Sequence, residues 1–271
     1  MLTKFKFLLL LLLFIPAWTV ALAPPFQVSV DPTWQAADPK DVQAVLDSTI
    51  LSIAPYIGNR RLDPIVVKNE EKGPISLYER DKQGKYIILL DVNGRYWSQL
   101  AYQFSHETCH LLSNYDLAPN NLSKQQWFEE SLCEAFSLFS LGKLADQWDK
   151  NPPYPNWKDY APELRKYLAD MLKEDQRSFA PNLASWYQQH KTTLEADPYA
   201  DNRRLNEKFA SHLLKIFSAY PEAWAAINYM NLGDDSQDKS LTKYLKDWHD
   251  NAPANLRAPI QAIQQQLGLQ G

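Results

Sequence analysis

The chain has 271 residues and a net charge of −4, from 28 basic and 32 acidic side chains. Residues 1–23 hold two lysines and no acid, so the remainder carries 26 basic and 32 acidic side chains and a net charge of −6. Such a chain lacks the basic surface that nucleic acid requires, and it is long enough to bury a substantial core.

Lys4 and Lys6 precede an apolar run from Phe7 to Ile15, followed by Pro16 and the small-residue stretch Ala21-Leu22-Ala23. That order is the order of a secretory signal peptide, and the run is too short for a comfortable membrane span. Its brevity fits a bacterial export system. The expectation is a soluble chain in the periplasm or outside the cell, with no stable membrane insertion after cleavage. Pro24 disfavours a cut directly before it, so a shifted cut or a retained anchor stays open. No cysteine follows the segment, which argues against lipoprotein processing.

Residues 41–57 read as a first helix, with Val42, Val45, Leu46, Ile50 and Ile53 on one side. Residues 65–67, 75–78 and 86–92 read as strands, separated by Gly73-Pro74 and Lys82-Gln83-Gly84. The apolar run Tyr86-Ile87-Ile88-Leu89-Leu90 suits a strand buried on both faces. Asn93-Gly94 then turns the chain into a helix over residues 96–112, which holds no Pro or Gly.

That helix carries His106-Glu107-Thr108-Cys109-His110. Residues four apart lie on one helical face, so both imidazoles can reach one zinc ion. Glu107 is offset by roughly 100° and can flank the metal without ligating it. There it can take a proton from a metal-activated water. Two histidines and a glutamate in a mostly apolar helix are costly unless something compensates them, and a metal would.

A catalytic zinc needs a third protein ligand and an open fourth position. Downstream, Trp127-Phe128-Glu129-Glu130-Ser131-Leu132-Cys133-Glu134 has apolar positions at helical spacing. Glu130 and Glu134 share a face, so one can ligate while the other accepts the outward N–H of an imidazole. A likeness to metzincin-like zincins, whose third ligand falls six residues after the second histidine, would make Asp116 the rival ligand, and Glu129 and Glu134 are further alternatives. Ser113, in place of the glycine at which those proteins turn sharply, weighs against Asp116.

His-Glu-x-x-His followed about twenty residues later by Trp-x-x-Glu, with another carboxylate four further on, resembles the gluzincin metallopeptidases. The resemblance covers about residues 86–141. It implies an α+β, zincin-like fold in which a small sheet packs on the motif helix and a mostly helical part follows. It implies Zn²⁺ on His106, His110 and Glu130, with Glu107 as general base and Glu134 behind the ligands. It also implies a peptide or protein substrate, and an edge strand that aligns it. An oxyanion donor is expected from the later helical part, where Tyr199, His212 and Tyr229 are candidates, Tyr199 foremost. Glu129 is the acid available to capture a free amine, should the enzyme be an aminopeptidase. A second reading is a catalytically silent zinc-binding protein of this fold that serves as a partner in envelope assembly.

Cys109 and Cys133 sit one in each ligand helix, so either a disulfide or two buried thiols fits. After Leu141 the chain reads as helical near residues 162–173, 201–219, 221–230, 240–248 and 253–267. Residues 24–150 are expected to form the catalytic core. Residues 151–271 are expected to form a helical subdomain of the same unit.

Overall fold

A computed structural model describes residues 24–34, 37–117, 125–178, 180–196, 202–234 and 237–269. Four strands come first: β1 (Val28–Val30), β2 (Ile65–Asn69), β3 (Ile75–Ser76) and β4 (Tyr86–Leu90). Helix α1 (Pro39–Ile53) lies between β1 and β2. The chain then continues through α2 (Trp97–Leu112), α3 (Gln126–Trp148), α4 (Ala161–Leu172), α5 (Leu183–Glu195), α6 (Arg203–Ala219), α7 (Leu241–Asn251) and α8 (Ala258–Leu267). The architecture is α+β: a small mixed sheet beside a larger helical assembly.

The sheet order is β1-β2-β4-β3. β1, β2 and β4 run parallel, and β3 pairs antiparallel with β4 at the edge. The parallel step from β1 to β2 is made through α1, as parallel pairing requires a crossover. Asp38 caps α1 by accepting the Lys40 N–H at 2.9 Å, and Pro39 opens its first turn. These two signals place the helix start two residues before the expected one. β4 has Tyr86, Ile88, Leu89 and Leu90 buried, as its continuous apolar run predicts. β3 is shorter than expected, ending at Ser76. Gly73 precedes it at a close crossing, where an added Cβ would stand 2.6 Å from the Leu90 carbonyl carbon.

α3 is the spine of the molecule. Trp127, Phe128, Leu132, Phe136, Leu141 and Trp148 are fully buried along it, and α1, α2, α4 and α6 pack around it. A helix apolar on all sides belongs in a core. α2 lies directly against α3 and beside β3 and β4. The two expected ligand helices are therefore neighbours, with the edge strand alongside. Among the described residues no helix is long and apolar enough to cross a membrane.

Two elements escape the sequence reading. β1 has only three half-buried residues, too few to display a period. α5 has a weak apolar stripe, although Asn182 caps it by accepting the Ser185 N–H at 2.8 Å. Residues 221–229 coil as a 3-10 helix instead of an α-helix. Cys109 and Cys133 are buried free thiols, with Cys109 in hydrogen-bonding contact with Cys133, whose thiol burial pushes up.

Candidate metal centre

Helical periodicity in α2 and α3 brings the site together. His106 and His110 stand one turn apart on α2, with ring centroids 5.1 Å apart. Glu130, in the second turn of α3, projects between them. Its Oε2 lies 3.1 Å from His106 Nε2, and its Oε1 lies 3.4 Å from His110 Nε2. One ligand atom from each of the three residues falls within 4.8 Å of the other two. Four-coordinate zinc with bonds of about 2.0–2.1 Å sets its ligand atoms roughly 3.3–3.4 Å apart. The spacing and the donor chemistry fit a zinc ion.

The opposite nitrogen of each ring faces a carboxylate. His110 Nδ1 is 2.9 Å from Glu129 Oε1, and His106 Nδ1 is 3.8 Å from Glu134 Oε2. A carboxylate on Nδ1 holds the proton there and leaves the Nε2 lone pair for a metal. Glu134 faces the outer nitrogen of His106. Glu129 is not one of the three converging residues: His110, Ser113 Oγ at 2.7 Å and Asn231 Nδ2 at 2.8 Å occupy its oxygens. Glu134 is bound in turn by the Tyr102 hydroxyl and by Arg177 Nη2 at 2.5 Å. Arg177 is almost wholly buried and also pairs with Glu174 and lies near Glu207.

Asp116 stands outside the cluster. It pairs with Arg80 Nη2 at 3.5 Å and accepts the Tyr86 hydroxyl at 3.3 Å. The chain ends α2 differently from a glycine turn: Ser113 Oγ bonds the His110 carbonyl at 2.8 Å, and Asn114 supplies the left-handed residue, φ 61°.

Glu107 is buried beside this cluster, and β3 covers it: Ser76 Oγ donates to its backbone carbonyl at 2.9 Å. Burial pushes its carboxyl upward, opposed by the charges of His106 and His110. A raised carboxyl is a better proton acceptor at neutral pH than an ordinary one.

Tyr199 lies outside the described residues. His212 is engaged on α6, where its Nε2 accepts the Ala180 N–H at 3.2 Å, and burial lowers it to about 4. Tyr229 is half-buried against the core. Sequence reasoning passed over two tyrosines near the site. The Tyr115 ring stands 6.3 Å from the His110 ring, and the exposed Tyr78 packs on Tyr115 at 4.9 Å. Burial raises the Tyr78 hydroxyl, and the charge of Glu129 raises it further. Tyr78 stands just past the end of β3 and Tyr115 just past the turn that ends α2, where no period marks a site.

The metal-free cluster is a set of ion pairs. Burial pulls His106 down, but its bonds to Glu130 and Glu134 override this and push it up to about 10. His110 is raised in the same way by Glu130 and Glu129. Burial raises Glu134, but His106 and Arg177 prevail and hold it at about 2. The stability that the raised His106 contributes is whole below its ordinary 6.5 and is lost as pH rises through about 10. The melting temperature of the metal-free chain is therefore expected to fall between pH 6.5 and 10. Saturating zinc, which requires neutral imidazoles, removes that fall. Calorimetric melts with and without zinc across this range check it.

No protein-family model, curated protein or solved structure matches the chain.

Proposed function

We propose that the protein is a zinc-dependent peptidase of zincin-like fold, acting after export on peptide or protein substrates. The observation that carries this is the buried constellation on α2 and α3. Two Nε2 atoms and one carboxylate converge, each histidine is backed by a carboxylate, and a buried glutamate lies beside them. A structural zinc site would close its fourth position with a protein ligand and would need no base. Among the described residues only three ligands converge.

Zinc, when bound to His106, His110 and Glu130, would supply Lewis acidity to a carbonyl and lower the pKa of water. Glu107 takes the proton of the attacking water and passes it to the leaving amine. Glu129 and Glu134 hold the imidazoles in one tautomer throughout. β3, an antiparallel edge strand beside α2, is placed to pair an extended peptide backbone over the site. The Tyr78 hydroxyl feels the charges of Glu129, His110 and Glu130 and is a candidate donor to the developing oxyanion.

The test is to incubate the zinc-loaded chain with a mixed peptide library. Cleavage that stops with a hydroxamate or a chelator, and returns with zinc, supports the reading. A zinc-loaded chain that neither cleaves peptides nor binds hydroxamate contradicts it.

A further inference from the structure

Asn114 and Asn231 are non-glycine residues in the left-handed region, with φ of 61° and 56°. Asparagine tolerates this conformation better than most residues. Asn114 follows the end of α2, and Asn231 follows the 3-10 segment 221–229. Each reaches across to the other's backbone. Asn114 Nδ2 donates to the carbonyls of Asn228 and Met230, both at 3.0 Å. Asn231 Nδ2 donates to the Ser113 carbonyl at 3.0 Å. The pair forms a reciprocal clasp between the C-terminal end of the motif helix and a segment more than a hundred residues later.

Asn231 does one thing that Asn114 does not. Its Nδ2 also donates to Glu129 Oε2 at 2.8 Å, and Glu129 Oε1 in turn meets His110 Nδ1. The amide cannot be flipped, because Oδ1 would then face two acceptors, the Ser113 carbonyl and Glu129 Oε2; as it stands, Oδ1 accepts the hydroxyl of Tyr244, on α7, at 3.0 Å. The two amide hydrogens are thus both spent, one on Ser113 and one on Glu129. A polarised chain runs from Tyr244 through Asn231 and Glu129 to the outer nitrogen of His110.

We infer that Asn231 is a positioning residue of the metal centre: its amide fixes the Glu129 carboxylate that orients His110. This inference rests on the metal-binding reading above. The later helical part thereby supports the ligand His110 through Glu129 and is more than a cover for the core. Groups that orient a ligating histidine typically set metal affinity by 10- to 100-fold. Asn231 acts one bond further out, so the expected effect is on the order of 10-fold.

The experiment is a Co²⁺ titration of the full chain, read by visible absorption, with melting of the metal-free forms alongside. Asn231→Gly keeps the left-handed backbone and deletes the amide. Asn231→Asp keeps the shape and the acceptor for Tyr244 but sets an acceptor against Glu129. Asn114→Gly breaks the other half of the clasp without touching Glu129. Both Asn231 variants are expected to bind Co²⁺ about 10-fold more weakly, with shifted absorption bands. Asn114→Gly is expected to melt lower yet keep wild-type affinity and bands. Wild-type affinity in the Asn231 variants overturns the inference. So does an equal loss in Asn114→Gly, which would reduce the role to docking. A wild-type chain that takes up no Co²⁺ removes the metal reading itself, an outcome distinct from either.

Discussion

Replacing Glu107 by Gln is expected to lower peptide hydrolysis by about 10²–10⁴-fold while leaving zinc uptake unchanged. Glutamine keeps the size of the side chain and loses its basicity. Glu107 is not one of the three converging ligand residues, so its loss does not open the coordination sphere. Burial raises its carboxyl against the opposing charges of His106 and His110, which suits a group that must accept a proton and then release it. Initial rates on a cleaved peptide, with zinc content measured on the same samples, check this. A Glu107→Gln chain that hydrolyses at the wild-type rate would falsify the mechanism.

Replacing Arg177 by Met is expected to cost about 3–5 kcal/mol of stability, the usual penalty for stripping one partner from a buried ion pair. Arg177 is 1% exposed in its side chain and stands among three carboxylates, those of Glu134, Glu174 and Glu207. Without it, Glu134 keeps Tyr102 and His106 but loses the 2.5 Å ion pair to the Arg177 guanidinium. Glu134 then competes for a proton, and its hold on His106 weakens. Urea unfolding of the metal-free chain measures the loss. The double variant Arg177→Met, Glu134→Gln is expected to recover part of it, because no unpaired buried charge remains. A single variant as stable as wild type would contradict the assignment.

The three converging residues were legible in the sequence for a simple reason. His106 and His110 are fixed to one face by helix geometry, and Glu130 and Glu134 by the same rule on α3. Local periodicity therefore carries nearly all of the cluster, and only the packing of two adjacent helices had to be guessed. The groups that hold this cluster were not legible. Glu134 meets Arg177 across 43 residues, and Glu129 meets Asn231 across 102. No spacing rule connects such pairs. Glu129 shows the difference well: as a neighbour of Glu130 it read as an alternative ligand or an acid for a free amine, yet the rotation of α3 turns it onto the back of His110. The exclusion of Asp116 was half legible. Ser113 gave warning that the tight turn was absent, but the Arg80 and Tyr86 partners of Asp116 come from the sheet and its loop. The α+β arrangement followed from the apolar run of β4 and the helical periods around it. The three-residue β1 and the weakly striped α5 fell below what periodicity can detect.

Metal content decides whether His106, His110 and Glu130 hold one zinc ion. Full-length wild-type chain and Glu130→Ala are to be exposed to zinc, freed of excess and measured by mass spectrometry, with circular dichroism to show that both are folded. One zinc per wild-type chain is expected, and markedly less in the variant. No zinc in either folded chain, or equal zinc in both, would contradict it.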